Sequence, residues 1–250
     1  SDGRVLFAVP WLGKVILGTT DTPRQDLSLE PEPFEEELAF ILREAGKYLQ
    51  RAPTRADIKS IWVGLRPLVK PPTDAAGNTK KISREHTVLV SPGQLVTVTG
   101  GKWTTYRAMA KDVLKHCIDA KILKEKAPCS TEKLALVGAQ SGQVVTHSMH
   151  EAPGLAAYGD EADAVASLPG SDQHLGGGLT AAMVRFAVRY EYARTVEDVL
   201  ARRSRLLFLD ARLAGSIAPA VSAIVQEETG RDPELEAFKA LAAHYTHLPD

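Results

Sequence analysis

Apolar and polar positions alternate from the first residues. Val5-Leu6-Phe7-Ala8-Val9 and Lys14-Val15-Ile16-Leu17-Gly18 read as two strands, with Gly13 in the short turn between them, which predicts a hairpin. The period then lengthens. In "PEPFEEELAFILREAGKYLQ", Phe34, Leu38, Ile41, Leu42, Ala45 and Leu49 recur at helical spacing behind Pro33 and an acidic first turn. "IKSIWVGLRPLVKPP" reads as a strand broken by Pro67, and Thr73 to Lys81 as a polar loop. "HTVLVS" and "LVTVTG" flank Pro92-Gly93 and predict a second hairpin. Thr104 or Thr105 can cap the helix that follows, whose apolar face is Tyr106, Met109, Ala110, Val113, Leu114, Cys117 and Ile118.

From about Lys124 the pattern changes again. "KEKAPCSTEKLALVGAQSGQ" reads as a linker with a short apolar strand at Leu134 to Val137. "GLTAAMVRFAVRYEYA", "TVEDVLARRSRLLFLDARLAGSIAPAVSAIVQEETG" and "DPELEAFKALAAHYTHL" all carry helical periodicity. Thr195 with Asp198 forms a capping-box pattern, Gly230 is a helix stop and Asp232-Pro233 a helix start. The expected class is α+β: a mixed, largely antiparallel sheet with helices over residues 1–123, a linker over 124–146 and an all-helical domain over 147–250.

Composition narrows the function. Thirty Lys and Arg against 31 Asp and Glu give a net charge of −1, which excludes holding nucleic acid by bulk charge. No apolar run reaches the roughly 20 residues of a membrane-spanning helix, and no signal peptide is evident at the start. Cys117 and Cys129 form neither a metal spacing nor a disulfide framework, and no metal site is expected. The chain begins inside a strand pattern without a leading Met, so it reads as a piece of a longer protein.

One junction carries candidate chemistry. The strand Val96 to Thr99 runs through Gly100-Gly101-Lys102 into a helix. A helix mouth presents unsatisfied N–H groups and partial positive charge, glycines admit a ligand to the backbone, and a lysine adds full charge. That suits an anion, or a ring that becomes negative during reaction. The spacing is not that of a P-loop, and no GxGxxG occurs in the chain. Arg66 sits in an apolar strand, where its charge needs a partner or a pocket, and Arg84 opens another strand. Each alone reads as an ordinary structural or surface arginine. With Lys102 on neighbouring strands of one sheet, the three cations would suit a dianionic phosphate monoester.

"PWLGKVILGTTDT", "VGLRPL", "ISREHT" and "GGKWTTYRAMA" occur in this order in FAD-dependent glycerol-3-phosphate dehydrogenases, and "RFAVRYEYARTVEDVLARRSRLLFLDA" resembles their helical C-terminal domain. The chain resembles the C-terminal half of that family, without the N-terminal GxGxxG segment. The resemblance implies that residues 1–123 are part of an amino-acid-oxidase-like FAD and substrate domain. It also implies that the isolated chain carries little flavin and no activity.

The implied reaction is oxidation of sn-glycerol 3-phosphate to dihydroxyacetone phosphate, with hydride transfer to FAD and electrons passed to a quinone. In this reading Arg66 and Lys102 are catalytic, and Arg66, Arg84 and Lys102 bind substrate. Gly100, Gly101, Lys102, Thr104 and Thr105 face the flavin. His86 is a proton-acceptor candidate that reads more readily as a strand-face histidine. The implied partners are glycerol 3-phosphate, a quinone and no nucleic acid, with a homodimer as the candidate assembly. The implied location is cytoplasmic, with peripheral contact at the inner face of the cytoplasmic membrane. Two rivals stand beside it. One is a glycerol-3-phosphate oxidase using oxygen. The other is a helical membrane-docking or interaction module built on Arg185, Arg189, Arg194, Arg202, Arg203 and Arg205, whose acidic neighbours favour salt-bridged helix faces instead.

Overall fold

The computed structural model describes residues 6–65, 86–139, 148 and 150–250. Contacts divide the chain into two compact units, one formed by the described residues of Ser1–Thr22, Asp26–Gly64 and Leu136–Asp250, the other by those of Pro23–Gln25 and Leu65–Ala135. The first unit takes segments from both sides of the 124–146 linker, so spatial grouping does not follow the linear order read from composition.

In the first unit, β1 (Phe7–Trp11) and β2 (Lys14–Gly18) pair antiparallel in the register Phe7↔Gly18 to Trp11↔Lys14. Leu12 and Gly13 both take positive φ, 48° and 81°, the geometry of a two-residue turn whose twist matches the strands. Helix α1 (Glu35–Ala45) starts behind Phe34, whose N–H donates to the Glu37 carboxylate at 3.2 Å, and it buries Leu38, Phe40 and Ala45.

The helical region forms the main core. It runs through a 3₁₀ segment (Leu155–Glu161) and α3 (Ala162–Ala166) to the short strands β5 (His174–Gly176) and β6 (Leu179–Thr180). Then follow α4 (Ala181–Tyr190), a π-helical turn (Asp198–Arg203), α5 (Leu206–Leu209), α6 (Ala211–Thr229) and α7 (Leu235–Thr246). Val184, Leu200, Leu207, Val221, Val225 and Phe238 are fully buried between these helices. Trp11 and Leu12 of the first hairpin pack against the same core. Ala211, Ala214 and Ala218 of α6 are also fully buried, and a Cβ on Gly215 would lie 3.5 Å from Ala242 of α7. Small side chains therefore let α6 and α7 approach closely. Across the other side, Arg185 and Arg189 of α4 bind Glu228 near the end of α6, Arg189 through two bonds of 2.7 Å. Arg189 accordingly holds the Glu228 carboxyl below the usual carboxylate range.

In the second unit, β3 (His86–Val90) and β4 (Val96–Gly100) pair antiparallel from His86↔Gly100 to Val90↔Val96, and α2 (Tyr106–Asp119) packs on them after a 3₁₀ turn at Trp103–Thr105.

Four expectations are corrected. Among the described residues the strands form three separate two-stranded hairpins, not one sheet. Residues 58–65 of the expected strand form no strand, and their backbone bonds run to helix ends: Ile61 N–H donates to Tyr245 O and Lys59 O accepts from Ala211 N–H. Leu134 to Val137 is turn and coil with exposed side chains, an apolar run that finds no strand to pair with. The long helical pattern after Thr195 breaks at Arg205, which takes φ 59°, and at Asp210, whose carboxylate caps α6 by accepting from Leu213 N–H at 3.1 Å. The β5–β6 hairpin was not read. Its signal was present in Gly176-Gly177-Gly178, all at positive φ.

The Thr195–Asp198 box forms as read: Thr195 N–H donates to the Asp198 carboxylate at 3.2 Å and Asp198 N–H to Thr195 Oγ1 at 3.1 Å. Burial alone would raise the Asp198 carboxyl, but donors from Arg194 and Thr195 and the charge of Arg203 outweigh it and hold it below the usual range. A depressed folded value means stability that is present above the unfolded pKa, about 3.9, and lost as pH falls through the folded one. Asp198→Asn should therefore destabilise by about 1 kcal/mol at neutral pH. The gap to wild type should close below about pH 4 in urea melts across a pH series.

Candidate functional site

The junction between β4 and α2 is built by backbone conformation. Gly100 and Gly101 take φ of 75° and 84°, where an L side chain is strained. At Gly101 there is also no room: a Cβ would lie 2.6 Å from Met109 Sδ and 3.1 Å from His86 Cβ. The glycine is needed because α2 sits directly over the end of the hairpin, with Met109 reaching down onto it. This places the helix mouth immediately after the strand.

Lys102 is extended, and the chain then coils through Trp103–Thr105 into α2. Thr105 donates twice to Lys102 O, through its N–H and its hydroxyl, each at 2.9 Å. Its hydroxyl proton is therefore used in closing the turn. Among the described residues, the N–H groups of Lys102, Trp103 and Thr104 have no acceptor and Lys102 has no acidic partner. Lys102 and Thr104 are exposed. Trp103 is 87% exposed and stacks on Tyr106 with ring centroids 5.7 Å apart. The outer face of the junction thus offers three backbone donors, one ammonium group and a stacked aromatic pair.

His86 lies opposite Gly100 in the β3–β4 register and turns toward the helix, with Nε2 2.9 Å from Asp112 Oδ2. Asp112 in turn holds His116, whose Nδ1 lies 2.9 Å from the Asp112 carbonyl oxygen. His86 thereby ties the hairpin to α2 from behind the glycines. Asp112 was missed in the sequence, since nothing in its spacing marks it as the partner of a strand histidine. Arg66 and Arg84 lie outside the described residues, so the junction brings together Gly100, Gly101, Lys102, Thr104 and Thr105 of the expected set.

The arginines of the helical region are largely engaged. Arg185 and Arg189 bind Glu227 and Glu228, Arg202 binds Glu197 at 2.7 Å, and Arg194 donates to the carbonyls of Val188 and Ala193. Arg203 pairs with Asp198 at 3.5 Å and donates to Glu191 O. This is a salt-bridged helix surface, not an open cationic face. Among the described residues no cluster of three or more His, Cys, Asp or Glu could hold a metal, and no helix is long and apolar enough to cross a membrane.

The family model described as FAD dependent oxidoreductase matches residues 1–113, and the one described as C-terminal domain of alpha-glycerophosphate oxidase matches residues 129–236. The mitochondrial glycerol-3-phosphate dehydrogenase of Schizosaccharomyces pombe is 36% identical over 93% of this chain. The chain belongs to the family of FAD-dependent glycerol-3-phosphate dehydrogenases.

The mitochondrial member from Homo sapiens is 37% identical over 93% of this chain. The chain spans 43% of the length of the Schizosaccharomyces pombe relative and 34% of the human one. The glycerol-3-phosphate dehydrogenase of Bacillus halodurans, solved in complex with FAD, matches 99% of this chain and 52% of its own at a TM-score of 0.72 and 25% identity. The α+β class with a helical C-terminal domain is that of this family.

The contact beneath Gly101 is open to direct test. Gly101→Ala combines a left-handed backbone with a displaced Met109, and should cost about 2 kcal/mol or more. Met109→Ala removes the obstructing thioether. The double variant should therefore be more stable than the sum of the two single effects, a favourable coupling read from denaturant melts.

Proposed function

We propose that this chain supplies the flavin-facing and substrate-facing half of an enzyme that oxidises sn-glycerol 3-phosphate to dihydroxyacetone phosphate. The observation that carries the reading is the β4–α2 junction, where Lys102 has no acidic partner and three N–H groups have no acceptor among the described residues, in a chain of this family. That donor set fits FAD, whose ring gathers negative charge along its pyrimidine edge on reduction. When bound, FAD supplies the two-electron chemistry that turns the C2 alcohol into a ketone. The N–H groups of Trp103 and Thr104 would lie against the ring edge, and Lys102 would stabilise charge there or on the phosphate. Gly100 and Gly101 hold those donors in place, and Thr105 locks the turn with its hydroxyl.

Arg66 is assigned to the reacting C2 oxygen and Arg84 to the phosphate, from their places in "VGLRPL" and "ISREHT". A forked guanidinium polarises an oxygen through two donors, which an ammonium cannot reproduce. Quinone is the proposed acceptor, which calls for peripheral contact with the membrane that dissolves it, and a homodimer is the proposed assembly. The match to the C-terminal domain of alpha-glycerophosphate oxidase favours a second reading, in which oxygen is the acceptor. Quinone reduction measured against peroxide formation separates the two.

Steady-state kinetics on the full-length enzyme test the site. Arg66→Lys should lower kcat/KM by roughly ten- to a hundredfold with the melt preserved. Arg84→Lys should act mainly by raising the KM for glycerol 3-phosphate. Near-normal kinetics for Arg66→Lys with a lowered melt would make that arginine structural and refute its role.

A further inference from the structure

Where the ends of α4 and α6 meet, the helical domain carries a recess of about 380 Å³ lined by Val188, Arg189, Arg194, Glu228, Thr229 and Arg231. Its one carboxylate is already answered. Glu228 takes two bonds of 2.7 Å from Arg189 and a contact of 3.1 Å from Arg185. The neighbouring Glu227 is bound by Arg185 at 2.7 Å. These two glutamates therefore offset Arg185 and Arg189. Arg194 and Arg231 are left over, and the side chain of neither pairs with a carboxylate among the described residues. Asp232, next in the chain, accepts from the Glu234 N–H at 2.9 Å instead.

Arg194 is held in place without being used up. Its Nη1 donates to Val188 O at 3.0 Å and to Ala193 O at 2.7 Å, which answers carbonyls at the end of α4. Its guanidinium carbon lies 5.8 Å from the ring centroid of Tyr192, a residue at φ 59°. The remaining Nε and Nη2 hydrogens have no acceptor among the described residues. At Arg231 only the backbone is engaged among the described residues, its N–H donating to Thr229 Oγ1 at 3.2 Å. Two guanidiniums without a carboxylate, one of them oriented in advance, match a doubly charged anion with several acceptor oxygens. The volume also falls in the range of small-ligand sites, roughly 300–1,000 Å³. We infer that this recess is a phosphate site on the helical domain, taking the dianionic group of a small phosphate monoester. It uses none of the residues assigned to flavin or substrate, so it stands whether or not that assignment holds.

Phenylglyoxal modifies guanidiniums that are free, and peptide mapping reads the rate at each arginine. In the full-length enzyme, inorganic phosphate should slow the modification of Arg194 and Arg231 saturably, by about tenfold when its concentration is about ten times the dissociation constant. Sodium chloride at the same ionic strength should leave both rates unchanged. Glycerol 3-phosphate should protect as inorganic phosphate does. In Arg231→Glu, phosphate should no longer protect Arg194. Arg231→Gln removes the charge without reversing it and should show the same loss, with circular dichroism matching the wild type. Equal rates in phosphate and chloride would overturn the inference. Protection of Arg194 that survives both substitutions would also overturn it, because no anion would then bridge the two arginines. Protection by phosphatidylglycerol vesicles without protection by inorganic phosphate would do the same, and would make the recess a lipid contact. A wild-type enzyme that fails to oxidise glycerol 3-phosphate would refute the proposed function and leave this result to judge the recess alone.

Discussion

Two consecutive residues at φ near +80° decide the geometry of the candidate site. Gly100 and Gly101 carry the chain from β4 into α2, and at Gly101 there is no room for a Cβ, because Met109 already fills that space. Beyond the glycines, the N–H groups of Lys102, Trp103 and Thr104 are without acceptors among the described residues. Lys102 stands among them with no acidic neighbour within the described residues. A buried or paired lysine would do little for a bound anion. One left unpaired beside oriented backbone dipoles costs no reorganisation when charge develops next to it. The His86–Asp112 pair supports the same arrangement from behind, fixing the hairpin to the helix at the register position of Gly100.

The helical domain illustrates a different constraint. Its core closes through small residues, with Ala211, Ala214 and Ala218 along α6 fully buried, and through arginine–glutamate ties at its edge. Of the side chains that looked in sequence like a cationic docking face, Arg185, Arg189, Arg194, Arg202 and Arg203 are spent on these ties and on backbone carbonyls. Exposed ion pairs of this sort contribute little individually. The Glu228 pair is better sheltered, with both Arg185 and Glu228 about one-tenth exposed, so breaking it would leave a poorly solvated charge.

Periodicity made most elements legible. The two hairpins, α1, α2 and the helical blocks follow from strand and helix spacing. The Thr195–Asp198 box and Gly230 acted at the ends they mark, since cap chemistry is local, whereas α7 starts beyond Asp232-Pro233, at Leu235, behind Glu234 without a side-chain cap. Long-range choices were not legible. "IKSIWVGL" has strand composition, but hydrogen-bond donors and acceptors at helix ends compete for its backbone, and only the folded chain shows them. The break at Arg205 is equally silent, because no glycine or proline announces it. At the junction, Gly-Gly-Lys before a helix predicted the donors and the charge. The reason for glycine at position 101, contact with Met109, required the structure.

The central claim is that Lys102 and the neighbouring N–H groups face the ring of FAD where negative charge gathers on reduction. The flavin midpoint potential of the full-length enzyme reports this directly. Replacing Lys102 by Met removes the charge while keeping an unbranched side chain. If the account holds, the two-electron potential falls by about 30 mV or more, equivalent to about 1.4 kcal/mol of lost stabilisation of the reduced state. An unchanged potential with full flavin content would contradict it, and would place Lys102 away from the ring.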